Sequence, residues 1–424
     1  MSWNTKVNQD MISSAFKYLS TVLVLGSIIG GLGFSQNVDQ VSLTELDERI
    51  QTIGEIGLIK GFGLSIFSEE EVYFAKGYGY ADTDKQLPYT PETLQNIGSV
   101  SKTLIGISLL KAQELGLLNL DDPISDYLDF GVENPYFSSE QITIRQLATH
   151  TSTIKDTDLY DQKAYYLLDV ADKDAPALTN QSEVFHAYGE QASMQEYLTY
   201  FLSPEGKWYS KKNFLKKKPG TKYEYSNVGA ALAAYVIEKA ANTSYQEFTR
   251  KYILSPLGMN SSGWSYDDIE EANHSILYNE NHLPFPKYAL VTYPDGGLIT
   301  NHKDLSIYLR ELMKAYDGGG SLLEKESCAE LFRQQLPIKK TPKKISNRYD
   351  DEFNSGIFMG FSPAGWVGHN GSDPGILCFM FFDPEIDIGH IITLNTSLNG
   401  QSVNEQLIPI LKEVDRFLYG STPK

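Results

Sequence analysis

The stretch Ile97-Gly-Ser-Val-Ser-Lys102 leads directly into an apolar run, residues 103–115, which stops at Gly116. The run is apolar on most sides and predicts a buried helix over residues 101–115. Ser99 would lie at the start of this helix, where free backbone N–H groups and the positive dipole end favour a developing oxyanion. Lys102 follows three residues later on the same face, within reach of the serine oxygen. Burial would lower the pKa of Lys102 and let it accept the serine proton.

The spacing of Ser99 and Lys102 carries little weight by itself. Ser-x-x-Lys also occurs at Ser14, Ser108, Ser152 and Ser421. An N-cap serine followed by a solvated lysine has the same pattern. The start of so apolar a helix at Lys102 favours the catalytic interpretation.

A second motif, Tyr225-Ser-Asn227, precedes another apolar helix predicted over residues 228–241. A free tyrosine has a pKa of about 10, and one or two neighbouring cations would stabilise its phenolate enough for it to act as a base. Asn227 could hydrogen-bond Lys102 and a substrate amide. The alternative is a helix N-terminus that is capped by Ser226 or Asn227, with Tyr225 packed beside it.

A third motif, His369-Asn-Gly371, lies on a predicted strand near the end of the chain. His369 is expected to be a partial cation that binds a substrate carboxylate or tunes Tyr225. Gly371 would let a substrate backbone approach closely, and the N–H of Ser372 could join that of Ser99 as an oxyanion donor. A strand histidine held by a backbone carbonyl is the alternative.

The composition excludes several classes of function. The formal charge of -18 over 424 residues makes nucleic acid an improbable partner. The chain has no His-Glu-x-x-His or Cys/His cluster, so we expect no metal. It has no phosphate- or dinucleotide-binding glycine pattern after a strand, so we expect no cofactor. Cys328 and Cys378 are expected to be two buried thiols, with a single disulfide as the alternative.

The N-terminus indicates export. Lys17 precedes an apolar stretch over residues 18–34, and small residues suit a cut after Ser35. Residues 1–35 are therefore interpreted as a cleaved signal peptide, with a membrane anchor as the alternative. In both cases the catalytic part is expected to be periplasmic or extracellular.

The remaining sequence predicts one α+β domain over residues 42–420. A helix over 42–59, a β-hairpin over 61–80, three strands between 365 and 395 and a closing helix over 401–419 are predicted from the apolar patterns. The strands from both ends should meet in one antiparallel sheet, because short lone hairpins are not stable. This α/β part covers about 42–120 and 290–420. The helical part covers about 121–289, with an irregular insertion over 155–218.

At this point the chain resembles the serine β-lactamase and penicillin-recognising superfamily, in its class C-like branch. The resemblance runs from about residue 45 to 415. Besides the three motifs it includes these blocks: Gly116-Leu-Leu-Asn-Leu-Asp-Asp-Pro-Ile, Ile144-Arg-Gln-Leu-Ala-Thr-His-Thr-Ser, Pro219-Gly-Thr-Lys-Tyr-Glu-Tyr-Ser-Asn, Pro294-Asp-Gly-Gly-Leu-Ile-Thr and Gly368-His-Asn-Gly-Ser-Asp-Pro-Gly. It implies an antiparallel sheet flanked by helices, a helical subdomain, and a site between them.

The resemblance also implies roles for the motif residues. Ser99 would be the acylated nucleophile, and Lys102 and Tyr225 would share the general acid and base work. Asn227 would orient Lys102 and substrate. The binding strand would carry the remaining three residues: His369, Gly371 and, as an oxyanion donor, Ser372.

The chain departs from the family pattern at two places. True class C β-lactamases carry Lys-Thr-Gly where this chain has His369-Asn-Gly, which looks more like the carboxypeptidase, aminopeptidase and esterase members. Thr153 stands where the family commonly has glycine. We therefore expect an exported serine hydrolase of a peptide amide or ester, such as a D-amino-acid peptide of cell-wall origin or a small ester. A β-lactamase and a non-catalytic cell-wall-binding relative are the alternatives.

Overall fold

The structure is a computed structural model that describes residues 40–179, 185–186, 189, 191–336 and 349–420. The predicted signal peptide or anchor, residues 1–35, lies outside the described residues. Within the described ranges, no helix combines the length and the apolar character that a membrane crossing needs.

An antiparallel sheet brings the two ends of the domain together, as predicted. Its strands are β1 Gly61–Phe67, β2 Val72–Asp82, β3 Leu87–Pro88, β10 Gly360–Phe361, β11 Val367–Asp373, β12 Ile376–Asp383 and β13 Ile388–Leu394. Among the described residues their order is β10-β11-β12-β13-β1-β2-β3. The N-terminal hairpin therefore joins the C-terminal strands through the antiparallel pair β1 and β13, with Phe62 opposite Leu394.

Shorter strands and helices surround this sheet. The remaining strands are β4 Gln95–Asn96, β5 Tyr165–Leu167, β6 Phe185–His186, β7 Tyr288–Leu290, β8 Ile299–Thr300 and β9 Asn354–Ser355. The helices are α1 Gln40–Gly54, α2 Lys102–Glu114, α3 Ile144–Ala148, α4 Asp158–Ala164, α5 Met194–Leu202, α6 Asn227–Ala241, α7 Tyr245–Thr249, α8 Ser255–Leu257, α9 His302–Tyr316, α10 Lys325–Phe332, α11 Gly400–Ser402 and α12 Ile408–Tyr419. Strand β4 pairs with β8, and β5 pairs with β6 and β7.

Alternation along the strands divides the core into two layers. In β12, Leu377 and Phe379 pack in one apolar cluster with residues of α1 and α12. Cys378 and Met380 belong to the other cluster, which contains α2, α6 and the rest of the helical part. Successive side chains of a strand point to opposite faces, so one strand serves both layers. The fold class predicted from the sequence is confirmed.

The cysteines are two buried free thiols, Cys328 and Cys378, which confirms the first of the two expectations. The end of the first helix was predicted wrongly. Helix α1 ends at Gly54 and not near residue 59, and Ile56, which follows it, is 46% exposed. Gly57 follows with φ +75°, a left-handed conformation that ends helices.

The segment over residues 155–218 is more regular than the sequence analysis predicted. It contains helices α4 and α5 and strands β5 and β6. Helix α5 begins with a capping box, in which Ser193 and Glu196 exchange hydrogen bonds with each other's backbone N–H. Tyr197 and Phe201 of this helix are fully buried. The segment is therefore part of the core of the helical subdomain.

Candidate active site

Ser99 and Lys102 meet where the helical part lies against the sheet. Ser99 belongs to a 3₁₀ turn over Gly98–Ser101 that continues into α2, and it is partly exposed. Lys102 is fully buried, and its Nζ donates hydrogen bonds to Ser99 Oγ at 2.9 Å and to the carbonyl oxygen of Asp295 at 2.6 Å. An accessible hydroxyl is thus in contact with a desolvated amine.

The surroundings of Lys102 favour its uncharged form. Burial lowers its pKa, against the opposing influence of the Asp295, Asp373, Asp156 and Asp351 carboxylates. None of these carboxylates forms an ion pair with Lys102 within 4 Å among the described residues. A lysine with a lowered pKa can accept a proton from the hydroxyl that it contacts.

Tyr225 completes the group around the serine, but its ionisation differs from the expectation. Its ring lies 5.1 Å from Lys102 Nζ and is stacked on His150 at 4.5 Å between centroids. Burial raises the pKa of Tyr225 well above 10, although a hydrogen bond with Ser99 partly opposes this. Desolvation therefore favours the neutral phenol over the phenolate that the sequence analysis expected. Proton acceptance belongs to Lys102, and Tyr225 is placed to donate or relay a proton.

The turn that carries Tyr225 is fixed by a residue that the sequence analysis missed. Asp156 accepts hydrogen bonds from the N–H groups of Asn227 at 2.7 Å and Val228 at 3.1 Å. It also accepts the Ser226 hydroxyl at 2.9 Å, and that hydroxyl in turn caps Gly229 N–H. A carboxylate at the N-terminus of α6 satisfies the free donors and the helix dipole. From the sequence, this preference predicts only that some acidic residue caps α6, and no local pattern identifies Asp156 as that residue.

Asn227 occupies the first position of α6 and is partly exposed. The hydrogen bond from Asn227 to Lys102 implied by the resemblance is not among those formed by the described residues. Lys102 bonds Ser99 and Asp295 instead. The amide of Asn227 thus remains available for another partner, and its role toward substrate stays a prediction.

His369 lies on β11 beside Tyr225, with 6.2 Å between ring centroids. Its Nδ1 is 3.0 Å from Asp351 Oδ2 and 2.5 Å from the carbonyl oxygen of Asn370. Burial lowers the pKa of His369 to about 3, and Lys102 adds to the effect. The histidine is therefore neutral, and the expectation of a partial cation is wrong at this site. The two acceptors around Nδ1 indicate that this nitrogen carries the hydrogen.

Asp351 is a second residue that the sequence analysis missed. Besides His369, it accepts hydrogen bonds from the backbone N–H and the side-chain amide of Asn370, both at 2.8 Å. Burial raises the pKa of Asp351 to about 7. Asp351 therefore fixes the orientation of two of the three residues of the third motif.

Two glycines let β11 pack directly on the serine turn. A Cβ at Gly371 would lie 2.1 Å from the oxygen of Ile97 and 2.8 Å from the nitrogen of Ser99. A Cβ at Gly98, where φ is +55°, would lie 2.9 Å from the nitrogen of Ser372. The nitrogens of Ser99 and Ser372 therefore belong to segments in close contact. Gly371 is required for this contact within the chain, whereas the sequence analysis assigned it to the approach of substrate.

The structure gives a physical reason for the departure at Thr153. This residue has φ +74°, where glycine is unstrained and a β-branched residue is an outlier. Its buried hydroxyl accepts a hydrogen bond of 2.7 Å from Asn134 Nδ2. The same amide bonds the carbonyl oxygens of Leu215 and Lys217. Thr153 thus has a strained backbone, but its hydroxyl helps to hold the Asn134 amide that binds residues 215 and 217.

The arrangement is suited to covalent catalysis by serine. Ser99, Lys102, Tyr225, His369, Gly371 and Ser372 come together, and Asn227 follows on the same turn as Tyr225. Among the described residues, no group of three or more His, Cys, Asp or Glu side chains could hold a metal ion.

Comparisons with known proteins identify the family. The Beta-lactamase family model matches residues 46–413. Protein flp of Staphylococcus aureus strain MW2 is 24% identical over 376 residues, which are 88% of this chain and 65% of that protein. The chain thus spans slightly less than two thirds of the length of this relative.

Solved structures share the fold. The octameric penicillin-binding protein homologue from Pyrococcus abyssi superposes with a TM-score of 0.67 and 24% identity, over 91% of this chain and 78% of that one. D-amino acid amidase from Ochrobactrum anthropi SV3 superposes with a TM-score of 0.61 and 20% identity, over 88% of this chain and 99% of that one. Since the family model covers most of the chain, this protein belongs to the Beta-lactamase family, a family of serine hydrolases.

Proposed function

We propose that this protein hydrolyses a peptide amide or an ester through an acyl-enzyme on Ser99. The observation that carries the proposal is the 2.9 Å contact between Ser99 Oγ and the fully buried Nζ of Lys102. A solvated lysine would be charged at neutral pH and unable to accept a proton. Burial without an ion-pair partner lowers the pKa of Lys102, which favours the uncharged amine.

The geometry supports a reaction in two stages. Uncharged Lys102 accepts the proton of Ser99, whose oxygen attacks the substrate carbonyl. The N–H groups of Ser99 and Ser372 bind the oxyanion. Tyr225, a neutral phenol beside Lys102 and Ser99, passes the proton that Lys102 took up to the leaving group. In the second stage Lys102 and Tyr225 remove a proton from water, the water oxygen attacks the acyl carbonyl, and the proton returns to Ser99 Oγ as the acyl–oxygen bond breaks.

The substrate class rests on β11. A neutral His369 cannot give the ionic attraction to a substrate carboxylate that a lysine would give. This supports amides and esters over substrates held by a C-terminal carboxylate. The structural likeness to D-amino acid amidase agrees with a small amino-acid amide but, at 20% identity, carries only the fold.

The test is pre-steady-state hydrolysis of p-nitrophenyl acetate. The wild-type protein should release close to one equivalent of nitrophenol in a burst, and Ser99→Ala should release none. Mass spectrometry of the quenched wild-type protein should place the acetyl group on Ser99.

Ser108→Ala is the matched control. Ser108 lies on the same helix, is also followed three residues later by a lysine, and is fully buried. Its variant should keep the wild-type burst. A burst that persists in Ser99→Ala would remove Ser99 from the mechanism, and nitrocefin turnover exceeding ester turnover would favour a β-lactamase.

A further inference from the structure

Two acidic side chains near the serine turn take no direct part in the proton transfers above. Asp373 is the last residue of β11, and it is 8% exposed. Asp295, whose carbonyl oxygen binds Lys102, is 1% exposed. Tyr165 donates a hydrogen bond to Asp373 Oδ1, and Tyr160 donates one to Asp295 Oδ1 at 2.9 Å.

Neither carboxylate has a cation beside it. In the described part of the chain, no Lys, Arg or His nitrogen lies within 4 Å of the carboxylate oxygens of Asp295 or Asp373. Lys102 acts on both from a longer distance and lowers their pKa, but burial outweighs it and raises each pKa to about 7. Buried carboxylates are nearly always paired, because an isolated charge is costly. A missing cation at this position is therefore informative.

One carboxylate oxygen of Asp373 lies close to the backbone of the serine turn. Asp373 Oδ2 accepts no hydrogen bond from the described residues. This oxygen is 3.2 Å from the position of a Cβ on Gly98 and 3.2 Å from that of a Cβ on Gly296. Gly98 directly precedes Ser99, so this oxygen lies beside the backbone next to the nucleophile.

Covalent geometry fixes where a cation would be needed. In an aminoacyl substrate, the α-nitrogen is two bonds from the carbonyl carbon, a separation of roughly 2.5 Å. The α-nitrogen therefore stays close to Ser99 when the carbonyl is there, and Asp373 Oδ2, beside Gly98, is a nearby acceptor with no hydrogen bond from the described residues. At neutral pH an α-amino group, with a pKa near 8, is largely charged.

We propose that Asp373, supported by Asp295, binds the free α-ammonium group of an aminoacyl amide or ester and makes it the preferred substrate over N-acylated analogues. This rests on the proposed Ser99 chemistry and adds the substrate class. Tyr165 is a positioning residue, since it holds Oδ1 and leaves Oδ2 for the ligand.

The experiment compares alaninamide with N-acetylalaninamide, each as both enantiomers, as competitors of p-nitrophenyl acetate at pH 7. For the wild type, the better enantiomer of alaninamide should compete at least tenfold more tightly than its acetyl derivative. In Asp373→Asn this ratio should fall about tenfold, because a hydrogen bond to a charged group is lost. Tyr165→Phe should lower the ratio by less, since the Asp373 carboxylate remains in this variant. A ratio measured within one variant does not depend on the fraction of active protein.

Asp383→Asn is the matched control. Asp383 is also 8% exposed and accepts a tyrosine hydroxyl, that of Tyr419, but it lies at the far end of β12. For Asp383→Asn, the ratio between competition by alaninamide and by N-acetylalaninamide should equal that of the wild type. A wild-type ratio near one, or one that neither Asp373→Asn nor Tyr165→Phe changes, would overturn the ammonium site. The burst with p-nitrophenyl acetate needs no ammonium, so its absence would instead count against the Ser99 chemistry.

Discussion

Ser99 and Lys102 can be compared with Ser108 and Lys111, which repeat the same spacing further along α2. Lys102 is fully buried and bonds Ser99 and a backbone carbonyl. Lys111 keeps 20% of its side chain exposed and pairs with Glu114 at 2.6 Å. Ser99 is partly exposed, whereas Ser108 is fully buried.

The difference shows what the spacing does and does not determine. Three residues along a helix bring serine and lysine to one face in both pairs. The burial of the lysine, the absence of a counter-ion and the exposure of the serine come from tertiary packing. Because of these properties Ser99 and Lys102 can act as a nucleophile and its base. Ser108 is instead a buried core residue, and Lys111 is a partly exposed residue in an ion pair.

The largest effect on activity should come from removing the amine of Lys102, with removal of the Lys111 amine as the comparison. Lys102→Met should lower kcat/KM for p-nitrophenyl acetate by about 10³-fold, within the range for loss of a general base. Lys111→Met should stay within about twofold of the wild type. Steady-state kinetics on both variants, with circular dichroism to confirm folding, make the comparison. Similar losses in both would mean that packing of α2, and not proton transfer, explains the effect.

A second test disturbs the partner strand while leaving both lysines in place. In Gly371→Ala, the methyl group would lie 2.1 Å from the oxygen of Ile97 and 2.8 Å from the nitrogen of Ser99. The strand must move away from the serine turn, and kcat should fall by about 10²-fold or more as oxyanion stabilisation is lost. Gly400→Ala is the control, since nothing lies within 4 Å of its added Cβ. Wild-type kcat in Gly371→Ala would contradict the contact.

A third test changes the charge around each lysine. Burial lowers the pKa of Lys102, and the rate needs its uncharged form, so ester hydrolysis should rise with pH through a value below the usual 10.4. Asp295 opposes this shift, because its carboxylate favours the charged amine. Asp295→Asn should therefore move the rising limb of kcat/KM to lower pH. Glu114→Gln, beside Lys111, should leave the limb unchanged; a shift to higher pH in Asp295→Asn would contradict the sign.

The parts of this site that could be predicted from the sequence are local. Ser99 with Lys102, and Tyr225 with Asn227, each lie within one turn at the start of an apolar helix. The strands of the sheet were predicted because their apolar runs and turns are also local. Their joining into one sheet followed from the instability of lone hairpins.

The carboxylates could not be predicted, because each acts across the fold. Asp156 reaches a turn 71 residues away at Asn227, and Tyr165 reaches Asp373 across 208 residues. No local pattern marks such an acid, and the desolvation that suppresses the charges of Tyr225 and His369 is also a tertiary property. Helix α5 is different, since the capping box from Ser193 to Glu196 is a local signal that the sequence analysis passed over.

The smallest effect is on the free energy of unfolding, which the burial of Lys102 is expected to lower. Lys102 has a folded-state pKa below its unfolded value, so the unfolded chain binds more protons between the two values and stability falls as the pH drops below about 10.4. No carboxylate within 4 Å among the described residues is left unpaired by its removal. Lys102→Met should therefore raise the free energy of unfolding at pH 7 by about 1–3 kcal/mol, and the gain should shrink as the pH rises toward 10. Lys111→Met should change it by less than about 0.5 kcal/mol at either pH. Urea unfolding at pH 7 and pH 9.5 measures both, and a less stable Lys102→Met would mean that its bonds to Ser99 and Asp295 outweigh the burial of its charge.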